Sequence, residues 1–205
     1  MSIIKNLLGS LLQGVNVPGG NPLTQITEKL KAAATQSVGK EVKTFTFNSL
    51  PKNLQELKAL PEATLQDPFA TAALSLLALT AFESDRESSV AMLNFLMGPE
   101  PLNPSSLQQI SDRFMDGKSY KVNSFFAGAT PQNNYTPSIP YKIEVSSNPY
   151  SFENDGWATL WLTSGGADSP RPVKLRQKKS TAQWFLNEIQ YLGDIRTPVA
   201  EDKWA

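Results

Sequence analysis

The hydrophobic pattern of this chain changes from a helical period to a strand period at Gly117. Before Gly117 apolar residues recur every three or four positions, and after it they alternate with polar residues, as in residues 141–146. Residues 157–162 are apolar on both faces, which predicts a central strand covered on both sides. Runs at 173–177 and 184–189 complete an antiparallel meander. The sequence therefore predicts an α+β fold, with N-terminal helices followed by a C-terminal twisted antiparallel β-meander.

Helix-capping residues set the predicted boundaries in the helical half. Asp67 can accept free N–H groups of a first turn, and Pro68 loses nothing at the first helical position. Asp85 predicts a second cap, and Ser105 with Gln108 has the form of a capping box. The predicted elements are, in order, helix 21–39, strand 42–47, a short helix within 50–60, and helices 69–82, 86–97 and 105–115.

Residues 1–20 predict a separate amphipathic helix and linker. One helical face carries the apolar residues Ile3, Ile4, Leu7, Leu8, Leu11, Leu12 and Val15. The segment Pro18-Gly19-Gly20 is typical of a linker. The rest, 21–205, is a single α+β domain: helical over 21–117, mainly β over 118–192, with a tail over 193–205. The apolar stripe either packs on its own domain or supports self-association, or it docks on a protein partner or a membrane surface.

Two absent residue types restrict the chemistry. The chain has no cysteine and no histidine, which removes disulfides, thiolate nucleophiles, the commonest general base and the usual transition-metal ligands. Its 19 basic and 19 acidic residues balance, which argues against nucleic-acid binding. The longest apolar-rich stretch is shorter than the roughly 20 residues of a membrane span, and no signal peptide is evident. We expect a cytoplasmic protein with no metal, cofactor, nucleic-acid partner or transmembrane segment.

The segment 164–172 is the best candidate for a site. Its glycines and prolines specify a path between two strands, and it holds an acid, a hydroxyl and a guanidinium within four residues. An arginine fork can hold a carboxylate or phosphate. The structural alternative is that Asp168 accepts N–H groups of its own loop and pairs with Arg171, locking a turn. The candidate ligand-binding residues are Asp168, Ser169, Arg171, Lys174 and Arg176.

The aromatic residues of the predicted strands allow two interpretations. They could line a pocket for an apolar or sugar ligand, or they could be core; the residues concerned are Trp157, Trp161, Trp184, Phe185 and Tyr191. Core packing is the usual role of aromatics on meander strands. Trp204, one residue from the end, predicts a side chain tucked onto the domain rather than offered to a partner.

Several segments of the C-terminal half together resemble an uncharacterised family of bacterial proteins. They are Pro149-Tyr150-Ser151, the Gly-Ala-Asp-Ser-Pro-Arg-Pro run within 164–173, Gln183-Trp184-Phe185-Leu186, Asp194-Ile195-Arg196 with Pro198, and Asp202 to Ala205. The resemblance covers the chain from about Asp67 onward and implies a bacterial, cytoplasmic source. It carries no known activity. Helices followed by a curved meander are also similar to nuclear transport factor 2-like folds, a likeness of fold alone.

These observations favour a non-catalytic binding or scaffold module over an enzyme. The missing histidine and cysteine, the neutral charge and the absence of a catalytic motif all point that way. The alternative is a small-ligand, anion-binding domain or a carboxylate-dependent enzyme that uses the loop 164–176.

Overall fold

A computed structural model describes residues 40–204. The helix and linker predicted over 1–20 and the helix predicted over 21–39 lie outside the described residues. In the described part, one antiparallel sheet of five strands packs on a set of helices. The predicted α+β class is confirmed.

The bounds of the elements follow the sequence pattern closely. The helices are α1 (Leu54–Lys58), α2 (Pro68–Thr80), α3 (Arg86–Met97), α4 (Pro104–Phe114) and α5 (Tyr120–Asn123). The strands are β1 (Val42–Phe47), β2 (Tyr141–Ser146), β3 (Trp157–Leu162), β4 (Arg171–Lys178) and β5 (Gln183–Glu188). Short 3-10 helices cover Pro61–Thr64, Pro131–Asn133 and Val199–Glu201. Each strand predicted from the alternating pattern is present.

The strands lie side by side in the order β1-β2-β3-β4-β5, and each pairs antiparallel with the next. The strand β1 precedes all the described helices, yet it pairs with β2, where Phe45 lies opposite Ile143. The helices are therefore inserted between the first two strands of the sheet. The prediction of a meander confined to the C-terminal half is corrected on this point, because one edge of the sheet is supplied from before the helices.

The helix α2 forms the centre of the core. All of its residues from Phe69 to Leu79 are buried, and the helix contacts every strand of the sheet. A helix that is buried all round can be apolar all round, so it shows no narrow stripe. Its predicted cap is confirmed, because the N–H of Phe69 donates to Asp67 Oδ1 at 2.9 Å.

Asp85 caps α3 as predicted. The N–H of Ser88 donates to Asp85 Oδ1 at 3.0 Å. This hydrogen bond is the main cause of a pKa lowered from the usual value of Asp85. The helix ends at Gly98, whose φ of 63° suits a glycine.

The predicted cap of α4 was wrong by two residues. Asn103, not Ser105, caps this helix, since its Oδ1 accepts from the N–H of Ser106 at 2.8 Å. Pro104 takes the first helical position. The helix ends at Phe114, just before Asp116 turns to a φ of 62°.

The two faces of the sheet differ. On β3 the side chains of Ala158, Leu160 and Leu162 are buried against the helices. On the opposite face, here called the outer face, Trp157 is 38% exposed. The prediction that β3 is covered on both sides was wrong for the described residues, because an antiparallel sheet can leave one face to solvent.

Candidate functional site

A groove runs along β5 and the segment that follows it. It consists of three adjoining cavities, of about 250 Å³, 210 Å³ and 540 Å³. The first and second share Met97 and Asn187 in their walls. The second and third share the four wall residues Gln109, Ile110, Ile189 and Gln190. We call this row of adjoining cavities the β5 groove.

The start of the groove is shaped by the end of α3. A side chain at Gly98 would collide with the ring of Phe185, so the helix terminus lies directly against this strand residue. Met97 and Pro99 complete an apolar wall there. Leu102 continues it, and the N–H of Leu102 donates to Asn94 Oδ1 at 2.9 Å. The connection from α3 to α4 is thereby fixed along the groove.

The middle of the groove is lined by amide side chains. Gln109 projects from α4, while Asn187 and Gln190 come from β5 and the segment after it. An amide can both donate and accept hydrogen bonds, so this lining can satisfy the polar groups of a bound main chain. Ile110 and Ile189 lie between the amides and supply apolar contact. This mixture is typical of a surface that binds a polar chain with apolar side groups.

The charged residues at the start of the groove are mainly basic. Arg176 forms an ion pair with Glu100 at 3.2 Å and lies over the ring of Trp157, 5.2 Å from its centre. Lys178 lines the same cavity and forms no ion pair with any described residue. Two cations against one carboxylate leave a positive excess at this end.

At the far end, charges of both signs meet. Asp112, Arg113 and Asp194 line the largest cavity. Behind them, burial lowers the pKa of Lys121, and the nearby cations Lys118 and Arg113 lower it further, against the opposite effect of Asp194. Two carboxylates and one cation line this end, so it lacks the positive excess of the start of the groove.

The five predicted ligand-binding residues do not converge on one point. Asp168 pairs with Arg196, not with Arg171 as predicted, and its side chain is 89% exposed. Ser169 is also exposed. Lys174 pairs with Glu188 at 3.4 Å. With Arg176 held by Glu100, the structure does not bring these charges together as a single anion cradle.

Arg171 makes a contact with a distant part of the chain. Its Nη2 donates to the main-chain oxygen of Asp194 at 2.7 Å. Its Nε is buried and has no hydrogen-bond partner among the described residues. Arg171 therefore ties β4 to the segment that forms the far wall of the β5 groove.

The loop before Asp168 is locked by close packing. The N–H of Gly165 donates to Ser124 O at 2.8 Å, and the hydroxyls of Ser124 and Ser164 lie 2.8 Å apart. A side chain at Gly165 would collide with the main-chain oxygen of Ala129, and one at Gly166 would collide with Tyr135 Oη. Neither glycine has a positive φ. The loop needs glycine for close approach, not for backbone conformation.

The predicted aromatic set is also divided. Tyr191 is fully buried, and its hydroxyl oxygen lies 2.6 Å from the hydroxyl oxygen of Ser75. Phe185 lines the β5 groove. Trp157 lies on the outer face of the sheet. Trp184 is half-buried and contacts the ring of Phe152. Trp204 is 96% exposed. The expectation of a tucked terminal tryptophan was wrong, because this side chain does not pack onto the described part of the domain.

Sequence reasoning missed most of the groove. Gln109, Asn187 and Gln190 match no motif, because amide side chains are common on any surface. Only Arg176, among the five predicted residues, lines it directly. One feature of the sequence did point to the groove. The strand β5 is the last strand of the predicted meander, and the last strand of a meander lies at an edge of the sheet.

Within the described part, no cluster of three or more carboxylates could hold a metal ion. None of the described helices is both long and apolar enough to cross a membrane.

Comparison with models of protein families yields a match. A family model described as a domain of unknown function (DUF6935) matches residues 49–199, well over half of the chain. The expected resemblance to an uncharacterised family is confirmed, and it begins earlier than the position near Asp67 that the sequence suggested. The match does not address the bacterial source. No curated protein and no solved structure matches the chain.

Proposed function

We propose that this chain, which belongs to the DUF6935 family of domains of unknown function, is a non-catalytic binding module that holds an extended segment of a partner protein in the β5 groove. The observation that carries the proposal is the groove itself: three adjoining cavities along an edge strand, lined by amides and apolar side chains.

A peptide main chain matches this lining. An extended segment presents N–H and C=O groups at regular intervals, and it recognises exposed sheet edges in many complexes. Gln109, Asn187 and Gln190 can bond such groups from both walls. Between them, the apolar sockets at Met97 with Phe185 and at Ile110 with Ile189 take alternate side chains. Backbone contacts supply affinity in this arrangement, and the sockets supply selectivity.

The positive excess at one end predicts a polarity for the partner. An acidic residue of the segment would meet Arg176 and Lys178, while polar or apolar residues would occupy the middle. Rim charges of this kind affect association rate and orientation more than total affinity. The partner is therefore an extended peptide with an acidic residue at the end that meets Lys178.

The catalytic and anion-binding alternative at the loop 164–176 gains no support from the geometry. Asp168 is exposed and paired with Arg196, whereas catalytic carboxylates usually lie in a concave pocket that can enclose a substrate. The N-terminal stripe over residues 2–15 remains a proposed second contact, for self-association or for a partner. Cytoplasmic location and the absence of a nucleic-acid partner also remain predictions.

Selection from a displayed library of short random peptides tests the groove. The full chain is the bait, and enriched peptides are then measured by titration against two variants of α4. Gln109→Trp fills the groove, and Gln108→Trp places the same side chain on an exposed position that does not line it. We expect the dissociation constant to rise at least about tenfold for Gln109→Trp, equivalent to about 1.4 kcal/mol, and to stay unchanged for Gln108→Trp.

The charge preference has its own control. Lys178→Glu should weaken peptides that carry an acidic residue, whereas Lys142→Glu, on the outer face of β2, should not. Peptides that bind Gln109→Trp as tightly as the parent would place the binding surface elsewhere. A library that yields no enriched sequence would also count against the proposal.

A further inference from the structure

The sheet has a second edge, at β1, which differs from the edge beside the groove. Strand β1 pairs with β2 on one side, and no other described strand lies on its far side. The N–H of Ser147 donates to Glu41 O at 2.8 Å. Because the direction of main-chain groups alternates along a strand, Val42, Thr44 and Thr46 must direct their N–H and C=O groups away from β2.

Among the described residues, one lysine is the only feature of this edge that natural sheets use against pairing. Natural sheets protect edges with proline, bulges or free lysines, but β1 contains no proline and keeps an unbroken register with β2. Its one charged residue, Lys43, is engaged: its Nζ lies 2.9 Å from Asp67 Oδ2 and 4.4 Å from the centre of the Phe69 ring. The strand sequence alternates threonine with aromatic residues, which favours strand pairing.

We propose that a second copy of this chain pairs antiparallel with β1 to form one continuous sheet across the dimer. The two-fold axis passes through Thr44, so Thr44 of each copy lies opposite Thr44 of the other. Val42 then lies opposite Thr46 of the second copy. In this register every outward-directed main-chain group of β1 finds a partner, and the interface is self-complementary, as a two-fold dimer requires.

Charge selects this register over its neighbours. A shift that places the axis at Lys43 would set the two Lys43 residues directly opposite one another, and like charges opposite one another are destabilising. If the two-fold axis lay at Phe45, Val42 would lie opposite Asn48, which is beyond the end of β1. With the axis at Thr44, Lys43 lies opposite Phe45 of the second copy, and threonines form the cross-strand pair at the centre. This interface is separate from the β5 groove and does not rest on it.

Single cysteines in this cysteine-free chain report the register directly. Opposite residues of a hydrogen-bonded antiparallel pair have Cα atoms about 5.5 Å apart, within the range of roughly 4.4 to 6.8 Å that a disulfide spans. Full-length Thr44→Cys should therefore form a covalent dimer under mild oxidation. Thr46→Cys should not, because the two Thr46 positions lie far from each other in this register.

A mixed experiment completes the test. Thr46→Cys combined with Val42→Cys should give the mixed disulfide, while each alone stays monomeric on a non-reducing gel. Sedimentation of the unmodified full chain at increasing concentration should show a reversible dimer. Equal crosslinking of Thr44→Cys and Thr46→Cys, or a parent chain that stays monomeric throughout, would overturn the proposal. Association through residues 2–15 would give no such register dependence, so the two interfaces are distinguishable.

Discussion

Replacing Gly165 by alanine tests the packing that fixes the loop 164–166. The added methyl group would collide with the main-chain oxygen of Ala129. This atom belongs to the backbone and cannot turn aside as a side chain could. Either the segment around Ala129 moves or the loop moves, and movement of the loop lengthens the 2.8 Å hydrogen bond from Gly165 to Ser124 O.

The cost follows from two terms. Overpacking of a well-packed site costs about 1 to 3 kcal/mol, and loss of one hydrogen bond adds about 0.5 to 1.5 kcal/mol. We therefore expect Gly165→Ala to lower the free energy of unfolding by about 2 to 4 kcal/mol. For a chain of this size each kcal/mol shifts the melting temperature by about 2 to 4 °C, so calorimetry should find a Tm lower by several degrees.

Gly193→Ala is the matched control. A side chain at Gly193 would meet nothing closer than Gln190 O at 3.8 Å, which is ordinary van der Waals contact. We expect this variant to unfold within about 0.5 kcal/mol of the parent, as for most surface substitutions. If Gly165→Ala and Gly193→Ala had the same stability in denaturant titrations, the close approach to Ala129 would have no energetic weight and the reasoning would fail.

Two further predictions concern charge and ionisation. Asp168→Ala should change the free energy of unfolding, measured in denaturant, by no more than about 1 kcal/mol, because the pair with Arg196 is exposed and surface pairs contribute little. A much larger loss of stability would contradict this reading of the pair. Burial raises the pKa of Tyr191, so its contribution to stability is complete below the ordinary tyrosine pKa of about 10 and is lost as the pH rises beyond it. Tyr191→Phe should lower the free energy of unfolding by about 1 kcal/mol at neutral pH, because the hydrogen bond to Ser75 is lost. The variant should also lose less stability than the parent as the pH rises above about 10. If parent and variant lost stability equally in that range, the alkaline loss would not come from Tyr191.

Local patterns predicted the elements of this fold well. The cap at Asp67 and the alternating run of β2 depend on neighbours within a few residues, and such signals can be read directly from sequence. The order of the strands depends on distant pairing. That β1 pairs with β2 across the whole helical segment could not be read from either strand alone.

The partner of Asp168 was not predicted, for a related reason. Asp168 and Arg171 are close in sequence, and nearness favoured a local pair. The actual partner of Asp168 is Arg196, 28 positions further along the chain. The residues of β3 are apolar on both faces, which predicted that both faces are covered. Trp157 is instead partly exposed, and the guanidinium of Arg176 lies over its ring.

The predicted loop and the observed groove are nevertheless physically connected. The N–H of Arg196 donates to Gly166 O at 2.9 Å, and Tyr135 Oη donates to Arg196 O at 2.8 Å. Arg171 bonds the main chain of Asp194. The segment that follows Tyr191 is thus held from behind by the loop and by the first residue of β4, while its front forms the far wall of the groove. The local motif of the loop, with its glycines, Asp168 and Arg171, thus helps to position the far wall of the β5 groove. The groove itself is lined by side chains that belong to no sequence motif.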